Sequence, residues 1–135
     1  MSAVPIRVLV CDDDAALRFL VREMLSLSPS VQVVAEAADG IEALEQVRLH
    51  RPDVVLLDLN MPKASGVDVL RRVKGDPELR TIPVVVFSTS RSDVDVAVAY
   101  ECGANAYVVK PLDLQRFMTV VRNIEEHWTG VVRLP

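Results

Sequence analysis

The 135-residue chain is predicted to be a single α/β domain, a doubly wound parallel sheet of five strands covered on both faces by five helices. Three observations predict it. Short runs of β-branched and apolar residues alternate with segments of helical spacing along the chain. Breakers, Gly and Pro above all, fall at the junctions between them. Four of the strand runs, moreover, stop at a polar side chain able to handle phosphate or metal: Ile6 to Cys11 at Asp12-Asp13, Val54 to Leu57 at Asp58, Val84 to Phe87 at Ser88, and Tyr107 to Val109 at Lys110. In a parallel sheet the carboxyl ends of the strands share one edge, so three carboxylates, a hydroxyl and an ammonium converge on one place.

The first helix follows from Leu17, Leu20, Val21, Met24 and Leu25, which keep the spacing of one packed face, with Asp14 as the cap. Ser28-Pro29-Ser30 breaks it, and Val31 to Ala37 reads as the second strand. Asp39-Gly40 turns the chain into a helix over Ile41 to Leu49, which ends before Arg51-Pro52 because the residue preceding a proline disfavours helical backbone. A third helix is predicted around Val67 to Lys74, closed by Gly75 and Pro77, and Pro83 opens the fourth strand run. The fourth helix fits Asp93 to Cys102 with Gly103 as its stop. Val94, Ala97 and Val98 make its core stripe, which leaves Val96, Ala99 and Tyr100 apolar and surplus. The fifth helix fits Leu114 to Glu126, capped by Asp113 and striped by Leu114, Phe117, Val121, Ile124 and Trp128. The core therefore covers residues 6–127, with a tail at 128–135.

Half of the residues are hydrophobic and a quarter charged, the balance of a globular protein with a filled core. A formal net charge of −4, with Lys and Arg scattered in ones and twos, argues against a nucleic-acid or anionic-membrane surface. No apolar segment approaches the roughly 20 residues that span a bilayer, and the N-terminus lacks a basic-then-apolar leader pattern, so a cytoplasmic protein is expected. Cys11, inside a strand run, and Cys102, at a helix end, read as reduced and structural. His50 and His127 read as surface residues at helix ends.

No Gly-rich turn follows the first strand, which disfavours the dinucleotide-binding version of the doubly wound sheet and favours the flavodoxin-like order 2-1-3-4-5. In that order strands one and three are neighbours at the switch point, where Asp12, Asp13 and Asp58 crowd together. Three ionised carboxylates in one crevice need a cation. Mg²⁺ suits them, with Mn²⁺ as an alternative, because it takes oxygen ligands and leaves positions for water or phosphate. Lys110 and Ser88 supply donors to phosphate oxygens the metal does not reach. Taken singly, each feature has a plainer meaning. Asp12-Asp13-Asp14 resembles a capping sequence, Ser88 a strand-to-loop residue, and Tyr107 a half-buried strand aromatic. Coincidence at matching strand ends is what raises them to a site.

These residues give the chain its resemblance to the receiver domain of two-component response regulators, the CheY-like family, over residues 6–127. The family's acidic pair falls on Asp12 and Asp13, and its phosphoacceptor motif reads Asp58-Leu59-Asn60-Met61-Pro62 with Gly66. Its hydroxyl residue is Ser88, its Lys-Pro pair is Lys110-Pro111, and its aromatic switch position is Tyr107. The resemblance implies that Asp58 becomes an aspartyl phosphate at the expense of a sensor histidine kinase or a small phosphodonor. It implies a Mg²⁺ held by Asp13, Asp58 and the backbone carbonyl of Asn60 and oriented through Asp12, with Lys110 pairing with the phosphoryl group. Ser88 would then swing toward the phosphate and Tyr107 turn inward, changing the surface of helix 4, strand 5 and helix 5. Such a protein catalyses its own phosphorylation and dephosphorylation but turns over no independent substrate.

Two features exceed a plain receiver pattern. The fourth helix is apolar on more than one face, and the tail adds Trp128, Val131, Val132 and Leu134 beyond the fifth helix. With Val96 and Tyr100 these predict an isologous homodimer. The ending from Ile124 to Trp128, followed by Val-Val-Arg-Leu-Pro, is similar to that of small stand-alone regulators paired with phytochrome histidine kinases, which implies a bacteriophytochrome as partner. No output domain is expected after the receiver, and the downstream target is not legible. Two other classes compete: a dimeric scaffold that ignores phosphorylation, and a Mg²⁺-dependent phosphatase, which Asn60 disfavours by standing where a second acid/base Asp would be.

Overall fold

Val, Leu and Ile fill the five strand runs, and in the computed structural model, which describes residues 4–110 together with Thr119 and Asn123, each run is a parallel strand. The elements are β1 (Ile6–Cys11), α1 (Ala15–Ser26), β2 (Val31–Ala37), α2 (Gly40–His50), β3 (Val54–Asp58), α3 (Gly66–Gly75), β4 (Val84–Ser88), α4 (Asp93–Glu101) and β5 (Ala106–Val109). The sheet order is β2-β1-β3-β4-β5, as expected from the sequence. Thr119 and Asn123 are helical and exposed. The rest of the predicted fifth helix, the tail with Trp128, Val131, Val132 and Leu134, and His127 lie outside the described residues. None of the described helices is long and apolar enough to cross a membrane.

Alternate residues of each strand feed opposite faces of the sheet, and two cores result. Leu9, Cys11, Val55, Leu57, Val84 and Val86 pack with Ala43, Leu44 and Val47 of α2, Val69, Leu70 and Val73 of α3, and Ala99 of α4. Ile6, Val8, Val10, Val54, Leu56, Val85, Phe87 and Val108 face the other way, against Val21, Met24 and Leu25 of α1. In the central strands β3 and β4 both faces are thus apolar up to the terminal Asp58 and Ser88, which is why these runs read as continuous rather than alternating.

The helix ends are set by side chains. Asp14 accepts from the amides of Ala16 and Leu17, Asp39 from Glu42, and Ser92 from Val94. At α3, Ser65 and Asp68 bond reciprocally to each other's backbone amides, a capping box. Arg51 takes left-handed backbone (φ 44°) to end α2 immediately before Pro52. Gly75 lies within α3 rather than beyond it, and Asp76 takes the cap position.

Two predicted helix faces are corrected. Leu20 is 49% exposed, as is neighbouring Phe19 (66%), so the buried stripe of α1 is Val21, Met24 and Leu25 with Leu17 half-buried. In α4 the core residue is Ala99, fully buried, while Val94 is 69% exposed and Ala97 is exposed; Val96, expected to be surplus, is half-buried. The physical reason is that Val94, Val96, Ala97, Val98 and Ala99 run almost all round this short helix. Periodicity then has no direction to report, and the tertiary join decides it.

That join is made at Gly103, whose φ of +106° an L side chain rarely adopts and whose missing Cβ would lie 2.7 Å from Lys74 Cγ. Lys74 in turn donates to the carbonyls of Ile82 (2.7 Å) and Arg80 (3.2 Å) and to Asn105 Oδ1 (3.2 Å), while Asn105 Oδ1 also accepts from the Val84 amide. One ammonium thus ties α3 to the starts of β4 and β5, and burial holds its pKa below the usual lysine range. Lys74→Met keeps the stem and removes the donors; it is expected to cost about 1–2 kcal/mol and lower the melting midpoint by roughly 3–10 °C, measured by thermal denaturation.

Candidate functional site

The carboxyl ends of β1, β3, β4 and β5 meet as the sequence predicts, because Leu57 pairs with Cys11, Asp58 with Phe87, and Ser88 with Val109. One residue beyond β1, Asp12 is held on every side. Its amide donates to the Ala37 carbonyl (3.0 Å), Oδ1 accepts from the Asp14 amide (2.8 Å), its carbonyl accepts from the Arg18 guanidinium, and Oδ2 pairs with Lys110 Nζ at 2.6 Å. Asp58, the last residue of β3, accepts from the Asn60 amide at 3.2 Å, and its Oδ1 lies 3.4 Å from the same Lys110 Nζ. Lys110 therefore stands between two carboxylates and is itself largely buried.

Asp12 and Asp58 are buried and Asp13 is exposed, with one oxygen of each within 4.8 Å of the others. Oxygens bound to an octahedral Mg²⁺ at about 2.1 Å are about 3 Å apart when adjacent and about 4.2 Å when opposite. Three hard carboxylate oxygens at this spacing, open to solvent on the Asp13 side, fit a small divalent cation. Asn60, two residues beyond Asp58, is exposed. Burial pushes the Asp58 carboxyl above the usual carboxylate range, and Lys110 together with the Asn60 amide only partly offsets this.

Ser88 is buried; its Oγ accepts from the Ser90 amide at 3.1 Å, and its carbonyl from the Lys110 amide at 2.7 Å. Tyr107 is half-buried against the core and donates its hydroxyl to the Ser90 carbonyl at 2.9 Å. Asp12, Asp13, Asp58, Ser88 and Lys110 are thus gathered at one sheet edge, with Tyr107 linked to it through the loop after β4. Val96 and Tyr100 lie away from it on α4, half-buried and exposed respectively. Cys11, buried beneath the cluster with burial pushing its thiol far up, and Cys102 are both free cysteines.

Sequence reasoning missed several supports. Arg18 bonds to the Asp12 carbonyl and, with Arg22, pairs with Glu36 of β2. The i, i+4 spacing of the two arginines was readable, but only strand order brings Glu36 to them. Gly66 has its reason here: a Cβ would stand 2.4 Å from the Asp58 carbonyl oxygen and 2.5 Å from Leu59 Cα. At Gly40 a Cβ would meet the Ala64 carbonyl oxygen at 2.0 Å, so the loop that follows Asp58 can pack on the start of α2 only over glycine.

The chain matches a family model described as the response regulator receiver domain over residues 8–122. It is 36% identical to response regulator Rcp1 of Synechocystis, an alignment covering 99% of this chain and 96% of that protein. Among solved structures it resembles the phosphorylated cyanobacterial phytochrome response regulator RcpA, with a TM-score of 0.83, 36% identity, and coverage of 98% of this chain and 99% of that one. The Mn²⁺-bound form of Rcp1 is similar at a TM-score of 0.80 and 35% identity, over 97% of this chain and 99% of that one.

Proposed function

The chain belongs to the response regulator receiver family, and from that premise we propose that it accepts a phosphoryl group from a sensor histidine kinase onto Asp58 and signals through the surface of α4, β5 and the predicted fifth helix. One observation carries this reading. Lys110 Nζ sits 2.6 Å from Asp12 and 3.4 Å from Asp58, so the nucleophile, one member of the acidic pair and the cation that will meet the phosphoryl oxygens already share one contact.

In the reaction, an oxygen of the Asp58 carboxylate attacks phosphorus, the bond to the donor imidazole breaks, and an aspartyl phosphate forms. Asp13, Asp58 and the Asn60 carbonyl would hold a Mg²⁺, oriented through Asp12, and the bound ion would neutralise charge on the transferred group. Lys110 exchanges part of its carboxylate pairing for phosphoryl oxygens, and its three donors allow it to keep Asp12 while doing so. Ser88 turns its hydroxyl proton toward the new phosphate, and Tyr107 follows the altered loop. No other substrate is turned over, and the protein works in the cytoplasm. The test is intact mass after incubation with Mg²⁺ and acetyl phosphate. A gain of one phosphate supports the relay, steady hydrolysis of varied phosphoesters would replace it with a phosphatase, and neither would leave a scaffold of receiver fold.

Two finer readings belong to the same proposal. The likeness to Rcp1 and RcpA supports a phytochrome histidine kinase as the donor, which red-light-dependent transfer of label to this protein would test; indifference to such a kinase removes it. The exposed side chains of Val94 (69%) and Tyr100 (48%) support a homodimer through α4 and the segments beyond β5. Tyr100→Arg is expected to weaken that dimer at least about tenfold in sedimentation equilibrium, as loss of a buried aromatic anchor does. A wild type that stays monomeric at micromolar concentration, with and without phosphodonor, rules the dimer out.

A further inference from the structure

Ser90 is bonded through every polar group it has. Its amide donates to Ser88 Oγ (3.1 Å) and its carbonyl accepts from the Tyr107 hydroxyl (2.9 Å). Its own hydroxyl accepts from the Ser92 amide (3.1 Å) and donates to the Asp95 carboxylate (2.5 Å). A serine hydroxyl has a single proton, so the bond to Asp95 fixes its direction and leaves its lone pairs to Ser92. Ser92 in turn caps α4 through the Val94 amide. The end of β4, the first turn of α4 and the middle of β5 are therefore joined at one residue, and the bond with a charged acceptor, the strong kind, is the one to Asp95.

We infer that Asp95 is a positioning residue that makes the loop between β4 and α4 move as one body with α4, so that a displacement of Ser88 reaches Tyr107 and the α4 surface together. Without the Asp95 bond, Ser90 loses its hold on the helix and its carbonyl is no longer fixed against the Tyr107 hydroxyl, so Ser88 can respond to phosphate while α4 stays behind. This rests on the reading of Asp58 as the phosphoacceptor. Asp95 touches neither the acidic cluster nor Lys110, so its removal leaves Mg²⁺ binding and the phosphorylation of Asp58 in place.

The test uses the full chain carrying fluorotyrosine, whose two tyrosine signals, Tyr100 and Tyr107, are told apart with Tyr100→Phe. Asp95→Ala is expected to shift the Tyr107 signal even in the unphosphorylated protein, and to reduce the response of α4 amide resonances to acetyl phosphate by about threefold or more, the ratio that loss of one hydrogen bond sets. Asp95→Asn, which keeps an oxygen acceptor, restores most of both. Asp93→Ala removes a charge from the same helical turn and is expected to change neither. An unmoved Tyr107 signal in Asp95→Ala, or equal losses in Asp95→Asn and Asp95→Ala, overturns the inference. Absence of any phosphate gain in the wild type overturns the proposed function instead, and the Tyr107 signal still decides on Asp95.

Discussion

Asp58→Asn is expected to gain no phosphate from acetyl phosphate and Mg²⁺, and in metal-free buffer at neutral pH to melt above the wild type. The first half follows from chemistry, since an amide oxygen is too weak a nucleophile to replace a carboxylate. The second follows from burial. Asp58 is 3% exposed, and its carboxyl is pushed above the ordinary range. A carboxyl whose folded pKa exceeds its unfolded one favours folding in its protonated form; that contribution is present at low pH and is lost as pH rises through the folded pKa. At neutral pH the ionised group therefore opposes folding, and Asn relieves it. The melting advantage of the variant should shrink as pH falls toward the carboxylate range, and added Mg²⁺ should raise the midpoint of the wild type while leaving the variant nearly unmoved. Mass spectrometry and thermal melts across pH measure both; a variant that melts lower than the wild type in metal-free buffer contradicts the burial argument.

Gly66→Ala is expected to damage both stability and chemistry, because its added methyl falls directly against the nucleophile's own backbone. The added Cβ meets backbone, the Asp58 carbonyl oxygen at 2.4 Å and Leu59 Cα at 2.5 Å, and the Gly66 amide is at the same time tied to the Leu59 carbonyl at 2.9 Å. No side chain can rotate away. Either α3 lifts from the sheet or the peptide carrying Asp58 shifts. Overpacking of this kind costs about 2–4 kcal/mol and lowers the melting midpoint by roughly 6–15 °C. A displacement of the nucleophile by even about 1 Å can slow the chemical step on the order of a hundredfold. Gly75→Ala is the control: nothing lies within 4 Å of its Cβ position, so neither stability nor phosphorylation should fall. Thermal melts and the rate of mass gain with acetyl phosphate distinguish the two substitutions, and a Gly66→Ala protein with wild-type values for both would mean that the loop after β3 is far more compliant than its packing implies.

Much of this protein was legible before any coordinates. Strands buried on both faces carry unbroken Val, Leu and Ile, and the breakers between them are local chemistry: Asp14 and Asp39 as caps, Pro52 after α2, Gly103 after α4. Asp12, Asp13, Asp58, Ser88 and Lys110 were readable because each terminates such a run, and a parallel sheet aligns those termini on one edge. What failed was direction around a helix. Leu20 belongs to an apolar stripe yet faces solvent, and α4 is apolar nearly all round, so its burial of Ala99 rather than Val94 and Ala97 is a fact about neighbours and not about spacing.

The sequence by itself determined the strand and helix succession and the chemistry at each strand end, because both depend on side-chain type and short-range backbone preference. Only the tertiary structure decided that Lys110 bridges Asp12 and Asp58, that Glu36 holds Arg18 against the acidic loop, that Ser90 joins Ser88, Tyr107 and Asp95, and that Gly66 must be bare. These are contacts between residues far apart in the chain or on different elements. Distances of a few ångströms between them are fixed by the register of strands and the packing of helices on the sheet, which local preference does not encode.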